Sequence, residues 1–257
     1  MLHQILEYIK FLKRSTNQHG VHSPFVYDLV TQCFYNKKKY ADYTLITNYK
    51  KALLKTNTLI EITDLGTGSV YTKNNTRSIK SIAKNSGASL KRAKLLYRLA
   101  EYFKFTTSLE LGTSLGISTH AIALGCKNGN ITSIEGCPEI AKFTAQNLKE
   151  KNINNAEILV GDFSKVIPLL NKNTYDFILF DGNHNKAATL AYFELLLPNI
   201  HNNTVFIFDD IYWSKGMTEA WKIIKQHPKV NVTVDTFQYG FVFFRKEQVK
   251  EHFTIRL

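Results

Sequence analysis

The chain has 257 residues, 44% of them hydrophobic and 21% charged, and its 33 Lys+Arg against 21 Asp+Glu give a formal net charge of +12. This length suits one large domain, or one domain with a smaller appendage, and supplies enough chain to bury a core. The apolar runs, such as 177–180 and 205–208, are of strand length and exclude a membrane helix, which needs ~20 residues. Cys33, Cys126 and Cys137 stand at unrelated spacings with no Cys-x-x-Cys pair, which argues against a zinc site or a disulfide framework and for buried, inert thiols.

Residues 1–14, MLHQILEYIKFLKR, interleave charge with apolar side chains, and Leu2, Ile5, Leu6, Ile9 and Leu12 recur at helical spacing. With neither an uninterrupted apolar stretch nor a small-residue cleavage site, the segment predicts a helix in a cytoplasmic protein rather than an export signal. His19-Gly-Val-His22-Ser-Pro-Phe25 reads as a loop or helix start at Pro24, with a place in a substrate pocket as the other reading. Residues 71–76 are polar and poor in bulky aliphatics, which predicts a loop. Leu90–Phe103 predicts a second amphipathic helix with Leu95, Leu96, Leu99 and Phe103 on one side, a stripe that suits a lid or a homodimer contact equally.

From residue 107 onward, β-rich runs alternate with helical stretches, the pattern of a parallel sheet with crossover helices. Strands are predicted over 108–111, 130–135, 157–160, 176–181, 205–209, 230–235 and 241–245, with helices over 118–125, 138–151, 163–170, 186–197 and 215–226. The last two strands are separated only by 236–240, too short for a crossover, so they are expected to be antiparallel. Residues 1–106 hold 18 Lys+Arg and 6 Asp+Glu, whereas 107–257 hold 15 of each. The chain therefore divides into a basic, mostly helical extension or cap over 1–106 and a neutral α/β domain over 107–257. The basic excess reads most simply as a solvated surface, and otherwise as a dock for an anionic partner.

Two glycine-rich turns compete for a nucleotide-like ligand, residues 62–69 and residues 109–118. Such a turn lets backbone amides approach a ligand, and the helix after it offers unpaired donors. After Ser69 the chain is polar and basic, whereas Gly112 leads into a helix and a second strand ending in Glu135, 25 residues after Glu110. A carboxylate near that distance is placed to accept both hydroxyls of a ribose. The site is therefore assigned to Gly112, with Asp64 of the first turn as a further pocket-lining candidate. A dinucleotide fingerprint started at Gly112 needs glycines where Ser114 and Ile117 stand, so an adenosine without a pyrophosphate is expected.

At this point the sequence resembles the class I S-adenosylmethionine-dependent methyltransferases over about residues 105–245. Their first motif, E-x-G-x-x-x-G, matches Glu110-Leu-Gly112-Thr-Ser-Leu-Gly116. The resemblance implies a Rossmann-like seven-stranded sheet with an antiparallel last strand, flanked by helices. It makes Glu110, Gly112, Thr113, Ser114, Gly116 and Ser118 cofactor-facing and Glu135 the ribose acid. It also puts the adenine contacts at Gly161, Asp162 and Phe163, and a contact to the methionine part of the cofactor at Asp181.

Residues 175–184, YDFILFDGNH, put Asp181 at the tip of the fourth strand and His184 three residues later, and Asp209-Asp210 close the fifth. Adjacent parallel strands bring these three carboxylates to one rim, where they repel unless a cation joins them. Oxygen ligation of this kind suits Mg²⁺ or a similar divalent ion. The arrangement resembles the metal-dependent O-methyltransferases of the sugar and catechol types, more closely the former. In that resemblance Asp181, Asp209 and Asp210 hold the metal and His184 is the general base, with Lys186 as a fallback base.

The reading that follows is metal-assisted O-methylation of a small hydroxylated acceptor, with no membrane partner. An RNA or protein methyltransferase docking through its basic segment is the alternative, and a non-catalytic cofactor-binding regulator the third. Cys137-Pro138 reverses the Pro-Cys nucleophile of cytosine methylation, and Asp181-Gly-Asn-His lacks the Asn/Asp-Pro-Pro-Tyr/Phe of exocyclic-amine methylases, so base methylation is disfavoured.

Overall fold

The computed structural model describes residues 2–63, 76–170 and 173–257. Asp64, most of the 62–69 turn and residues 71–75 of the expected loop lie outside the described residues. Contacts group the chain into two compact units, Met1–Asn36 with Ile167–Leu257, and Lys37–Val166. Division by contact thus differs in kind from the division by charge at residue 106. Residues 37–106 alone hold 15 Lys+Arg against 4 Asp+Glu, so nearly all the basic excess belongs to the second unit.

The first unit opens with helix α1 (Leu2–Arg14). After a 3-10 turn at Gln18–Gly20 comes α2 (Pro24–Asp28), which runs into a π-helical segment, Leu29–Phe34. Ser23 caps α2 by accepting from the Val26 amide, and Pro24 sits in its first turn, so residues 19–25 are a helix start. Phe25 packs edge-on against Phe243 with ring centroids 5.0 Å apart.

The second unit contains α3 (Asp42–Leu53), a small antiparallel ladder of β1 (Leu59–Glu61) and β2 (Thr76–Ser78), α4 (Ile79–Asn85) and α5 (Leu90–Phe103). It continues with β3 (Thr107–Leu111), α6 (Ile117–Gly125), β4 (Asn130–Glu135), α7 (Pro138–Glu150), β5 (Ala156–Val160) and α8 (Phe163–Val166). Ser89 caps α5, and the helix ends where Lys104 turns left-handed at φ 55°. Leu95, Leu96 and Leu99 are buried, and α5 packs on α6. Each fully buried aliphatic of this kind contributes roughly 1.5–3 kcal/mol. The stripe that suited a lid or a dimer is spent inside its own unit.

The chain then returns to the first unit with β6 (Tyr175–Phe180), α9 (Lys186–Leu196), β7 (Ile200–Asp209), α10 (Lys215–Gln226), β8 (Val232–Asp235), β9 (Tyr239–Phe243) and β10 (Glu251–Thr254). The fold is α/β, built on eight mostly parallel sheet strands with helices between them. In the second unit the order is β3-β4-β5, all parallel, with Ser108 opposite Ile131 and Ile134 opposite Leu159. In the first unit it is β10-β8-β9-β7-β6.

All seven expected strands form, and β8 and β9 are antiparallel as their short connection requires. An eighth strand corrects the count: β10 pairs parallel to β8. The antiparallel strand is therefore the last of the seven but not the last of the chain. Glu-His-Phe-Thr is four residues long with Phe253 as its single apolar side chain, so it carries too little apolar pattern to be read as a strand before β8 offers it an edge. Residues 204–209 of β7 and the whole of β9 are buried, which explains their unbroken apolar runs. Phe180 stacks on Phe208 with centroids 4.2 Å apart. All three cysteines are buried and unlinked, and among the described residues no helix is long and apolar enough to cross a membrane.

Candidate active site

At the C-terminal end of β3 the chain makes a left-handed turn. Gly112 has φ 104°, Ser114 φ 46° and Gly116 φ 70°. The Gly112 amide donates to the Ile134 carbonyl at 3.0 Å, and the Thr144 hydroxyl donates to the Ser114 carbonyl at 2.8 Å. A Cβ on Gly116 would lie 2.6 Å from Thr144 Cγ2, so conformation and space both require glycine there. Thr113 and Ser118 are buried, and the Thr113 hydroxyl lies 2.6 Å from that of Ser133. Gly116 opens α6 with no side-chain cap, which leaves the first amides of that helix to a ligand or solvent.

Glu135 closes the turn from β4. Its Oε2 accepts from the Ser114 amide at 2.8 Å and its Oε1 from the Cys137 amide at 2.9 Å. These two bonds orient the carboxylate at the strand end. At the end of β5, Gly161 has φ 154° and donates to the Glu135 carbonyl at 2.9 Å. Asp162 Oδ1 accepts from the Ser164 hydroxyl and from its amide at 2.8 Å, bonds that hold its carboxyl below the usual carboxylate range. Phe163 beside it is half-buried. Three neighbouring parallel strands thus end in a glycine turn, an acid, and an acid with an aromatic ring, the edge where α/β sheets bind ligands. This donor and acceptor set fits an adenosine.

Glu110 plays another part. It is fully buried in β3, and its Oε2 accepts from the Thr119 hydroxyl at 2.5 Å and the Ser133 hydroxyl at 2.6 Å. Burial pushes its carboxyl up to about 7 against the lowering effect of those two bonds. Oε1 has no partner among the described residues. The side chain braces β3 against β4 and α6 beneath the turn.

The second constellation lies in the first unit. Asp181 follows β6, Asp209 ends β7, and ligand atoms of Asp181, His184 and Asp209 lie within 4.8 Å of one another. A left-handed residue, Asn183 at φ 51°, and a 2.6 Å bond from the Asn185 amide to the Asn183 carbonyl tighten this loop, which carries His184 to the two acids. Asp210 is not in the group. It turns left-handed at φ 50°, its amide donates to the Gln238 carbonyl at 2.8 Å, and its own carbonyl accepts from the Trp213 amide. Asp181 and Asp209 thus meet the imidazole of His184, because consecutive strand-end residues point in different directions while a tight loop brings a residue three positions on back to the strand end. Such a donor set fits a divalent metal, the imidazole widening the choice beyond Mg²⁺ toward Mn²⁺, Fe²⁺ or Zn²⁺. Lys186 opens α9 and pairs with Glu219 at 2.7 Å.

Residues 109–211 match the methyltransferase domain family. Over 71 residues the chain is 38% identical to the protein-L-isoaspartate O-methyltransferase of Pyrococcus horikoshii, a match that takes in 28% of this chain and 31% of that one. The chain thus spans about a third of the length of this curated relative. Among solved structures it is similar to the O-methyltransferase of Bacillus cereus in complex with S-adenosylhomocysteine, with TM-score 0.55 and 19% identity over 82% of this chain and 93% of that one. It is also similar to TomG of Streptomyces achromogenes, an O-methyltransferase involved in tomaymycin synthesis and solved with S-adenosylmethionine, with TM-score 0.57 and 17% identity over 84% and 95% of the two chains. Residues 109–211 thus match a methyltransferase domain, and the chain has the fold of these O-methyltransferases solved with S-adenosylhomocysteine and S-adenosylmethionine.

Proposed function

We propose that the chain is an O-methyltransferase that moves the methyl group of S-adenosylmethionine to a hydroxyl of a small acceptor with the help of a divalent cation. The observation that carries this reading is the convergence of Asp181, His184 and Asp209. The cofactor supplies an electrophilic methyl on a sulfonium; as the oxygen–methyl bond forms, the carbon–sulfur bond breaks and sulfur becomes neutral. Glu135 holds the ribose, Asp162 accepts from the adenine amine, and the Gly112–Gly116 turn admits the cofactor to backbone amides. Asp181, His184 and Asp209 are the residues that would hold the cation, which when bound lowers the pKa of a hydroxyl and orients it for attack. The hydroxyl proton leaves to a base; His184 serves as that base only if its ring is not itself a ligand.

The test is transfer of a labelled methyl group to a panel of catechols and hydroxylated sugars, with and without a chelator. Turnover that a chelator abolishes and Mg²⁺ or Mn²⁺ restores is expected. Full activity in chelator would remove the metal from this reading, and cofactor binding without turnover across the panel would favour a regulator. Metal content of His184→Ala separates the two roles of His184: a ligand variant loses bound metal, a base variant keeps it and loses its pH profile. A second reading, a protein or RNA acceptor, draws on the basic residues 37–106 and on the partial match to a protein methyltransferase. Salt-sensitive RNA binding would favour the RNA form.

A further inference from the structure

The glycine turn is braced by a helix that lies outside the segment matching the methyltransferase domain. That segment is residues 109–211, whereas Tyr49 belongs to α3. Its side chain is buried, and its hydroxyl donates to the Leu115 carbonyl at 2.9 Å. A Cβ on Gly116 would lie 3.2 Å from that same hydroxyl oxygen, so the phenol reaches the turn itself. The ring stacks on His120 of α6, with centroids 4.3 Å apart and planes 17° apart. Burial pushes the His120 imidazole down to about 4, so at neutral pH the ring under Tyr49 carries no charge. Burial also raises the Tyr49 phenol, which keeps its proton in place to donate.

Two consecutive carbonyls of the turn are thus taken by hydroxyls from outside it, Ser114 by Thr144 of α7 at 2.8 Å and Leu115 by Tyr49 of α3. In a trans peptide the carbonyl and the following amide point to opposite sides. Holding the Leu115 carbonyl toward α3 therefore turns the Gly116 amide the other way, where it donates to the Thr113 carbonyl at 2.9 Å. Ser114 is left-handed at φ 46° although it carries a side chain. Such a conformation persists only where its surroundings over-determine it, and Thr144 and Tyr49 supply two of the restraints. A turn fixed in advance binds a ligand more tightly than one that the ligand must order, because the loss of chain freedom has already occurred on folding.

We propose that Tyr49 is a positioning residue for the cofactor: its hydroxyl fixes the Leu115–Gly116 peptide and so presets the turn that receives S-adenosylmethionine. The inference rests on the reading of the Gly112–Gly116 turn as the cofactor site. Tyr49 acts through the turn and not on the reacting atoms. The test is calorimetric titration of the full chain with S-adenosylhomocysteine, together with hydrogen exchange across residues 112–118. Tyr49→Phe keeps the ring and its stack on His120 and removes the hydroxyl bond; affinity is expected to fall ~5–10-fold, with faster exchange in the turn. Tyr97→Phe is the matched control, since it removes a hydroxyl bond of the same length, 2.9 Å to Asp42, that involves no residue of the turn. It is expected to leave the affinity within ~2-fold. In the unaltered chain the Gly116 amide is expected to be protected already without ligand and to change little when ligand is added. Equal affinity in Tyr49→Phe, an equal loss in Tyr97→Phe, or a Gly116 amide protected only in the presence of ligand would each overturn the proposal and leave the cofactor reading standing. Failure of the unaltered chain to bind S-adenosylhomocysteine would overturn both.

Discussion

The two compact units hold their functional groups in different physical forms. In the second unit the glycine turn proposed to hold the cofactor is made of backbone: left-handed residues at 112, 114 and 116, amides fixed by Glu135, and a buried Glu110 bracing it from below. In the first unit the cluster is made of side chains, Asp181, His184 and Asp209, at the ends of strands whose stability comes from buried aromatics. Damage to a backbone site therefore appears as lost stability, whereas damage to a side-chain cluster on a firm scaffold appears as lost chemistry with the fold intact.

Asp181→Asn gives the largest expected effect. Turnover falls at least ~100-fold, while thermal stability holds or rises because one of two crowded carboxylates loses its charge. A matching fall in melting temperature would break the contrast. Gly116→Ala works the other way: a left-handed alanine with its Cβ against Thr144 costs about 2–3 kcal/mol. In a thermal melt that is about 5–10 °C for a chain of this size.

Glu110→Gln sharpens the contrast through pH. The Glu110 carboxyl titrates near 7 in the folded chain against its ordinary value of 4.5. Between those values the unfolded chain releases a proton that the folded chain keeps, so this group's contribution to stability falls as pH rises from 4.5 to about 7 and is level above. Chemical denaturation across that range should show a shallower decline in the Gln variant than in the parent. The smallest effect is expected of Lys186→Ala. Because its ammonium is engaged by Glu219 on the surface, kcat/KM should change by less than ~2-fold, and a loss comparable to Asp181→Asn would restore Lys186 to the chemistry.

Much of this was legible in the residues. Seven strands, the antiparallel β8–β9 pair, and the order of turn and strand-end acids all follow from period and spacing, which are local properties. Two amphipathic helices, α1 and α5, read alike in sequence and differ in the fold. The Leu95–Leu99 stripe of α5 finds α6, while α1 is pinned from its polar side by Asp235, Tyr212 and Thr218, residues some two hundred positions away. That His184 meets Asp181 and Asp209 has the same origin, since adjacency in the chain does not decide which side chains meet at a strand end.

By itself the sequence determined the α/β class, the glycine turn with Glu135 at its strand end, and the neutrality of the half that carries the acids. Those features need only backbone periodicity, glycine's access to positive φ, and a count of charge. Only the tertiary structure decided that an imidazole joins two carboxylates, that Glu110 is an enclosed brace, that the basic excess belongs to one unit, and that α1 turns its leucines outward. Each of these depends on which distant surfaces meet, and on the free energy of burying one side chain rather than another, quantities that no local pattern contains.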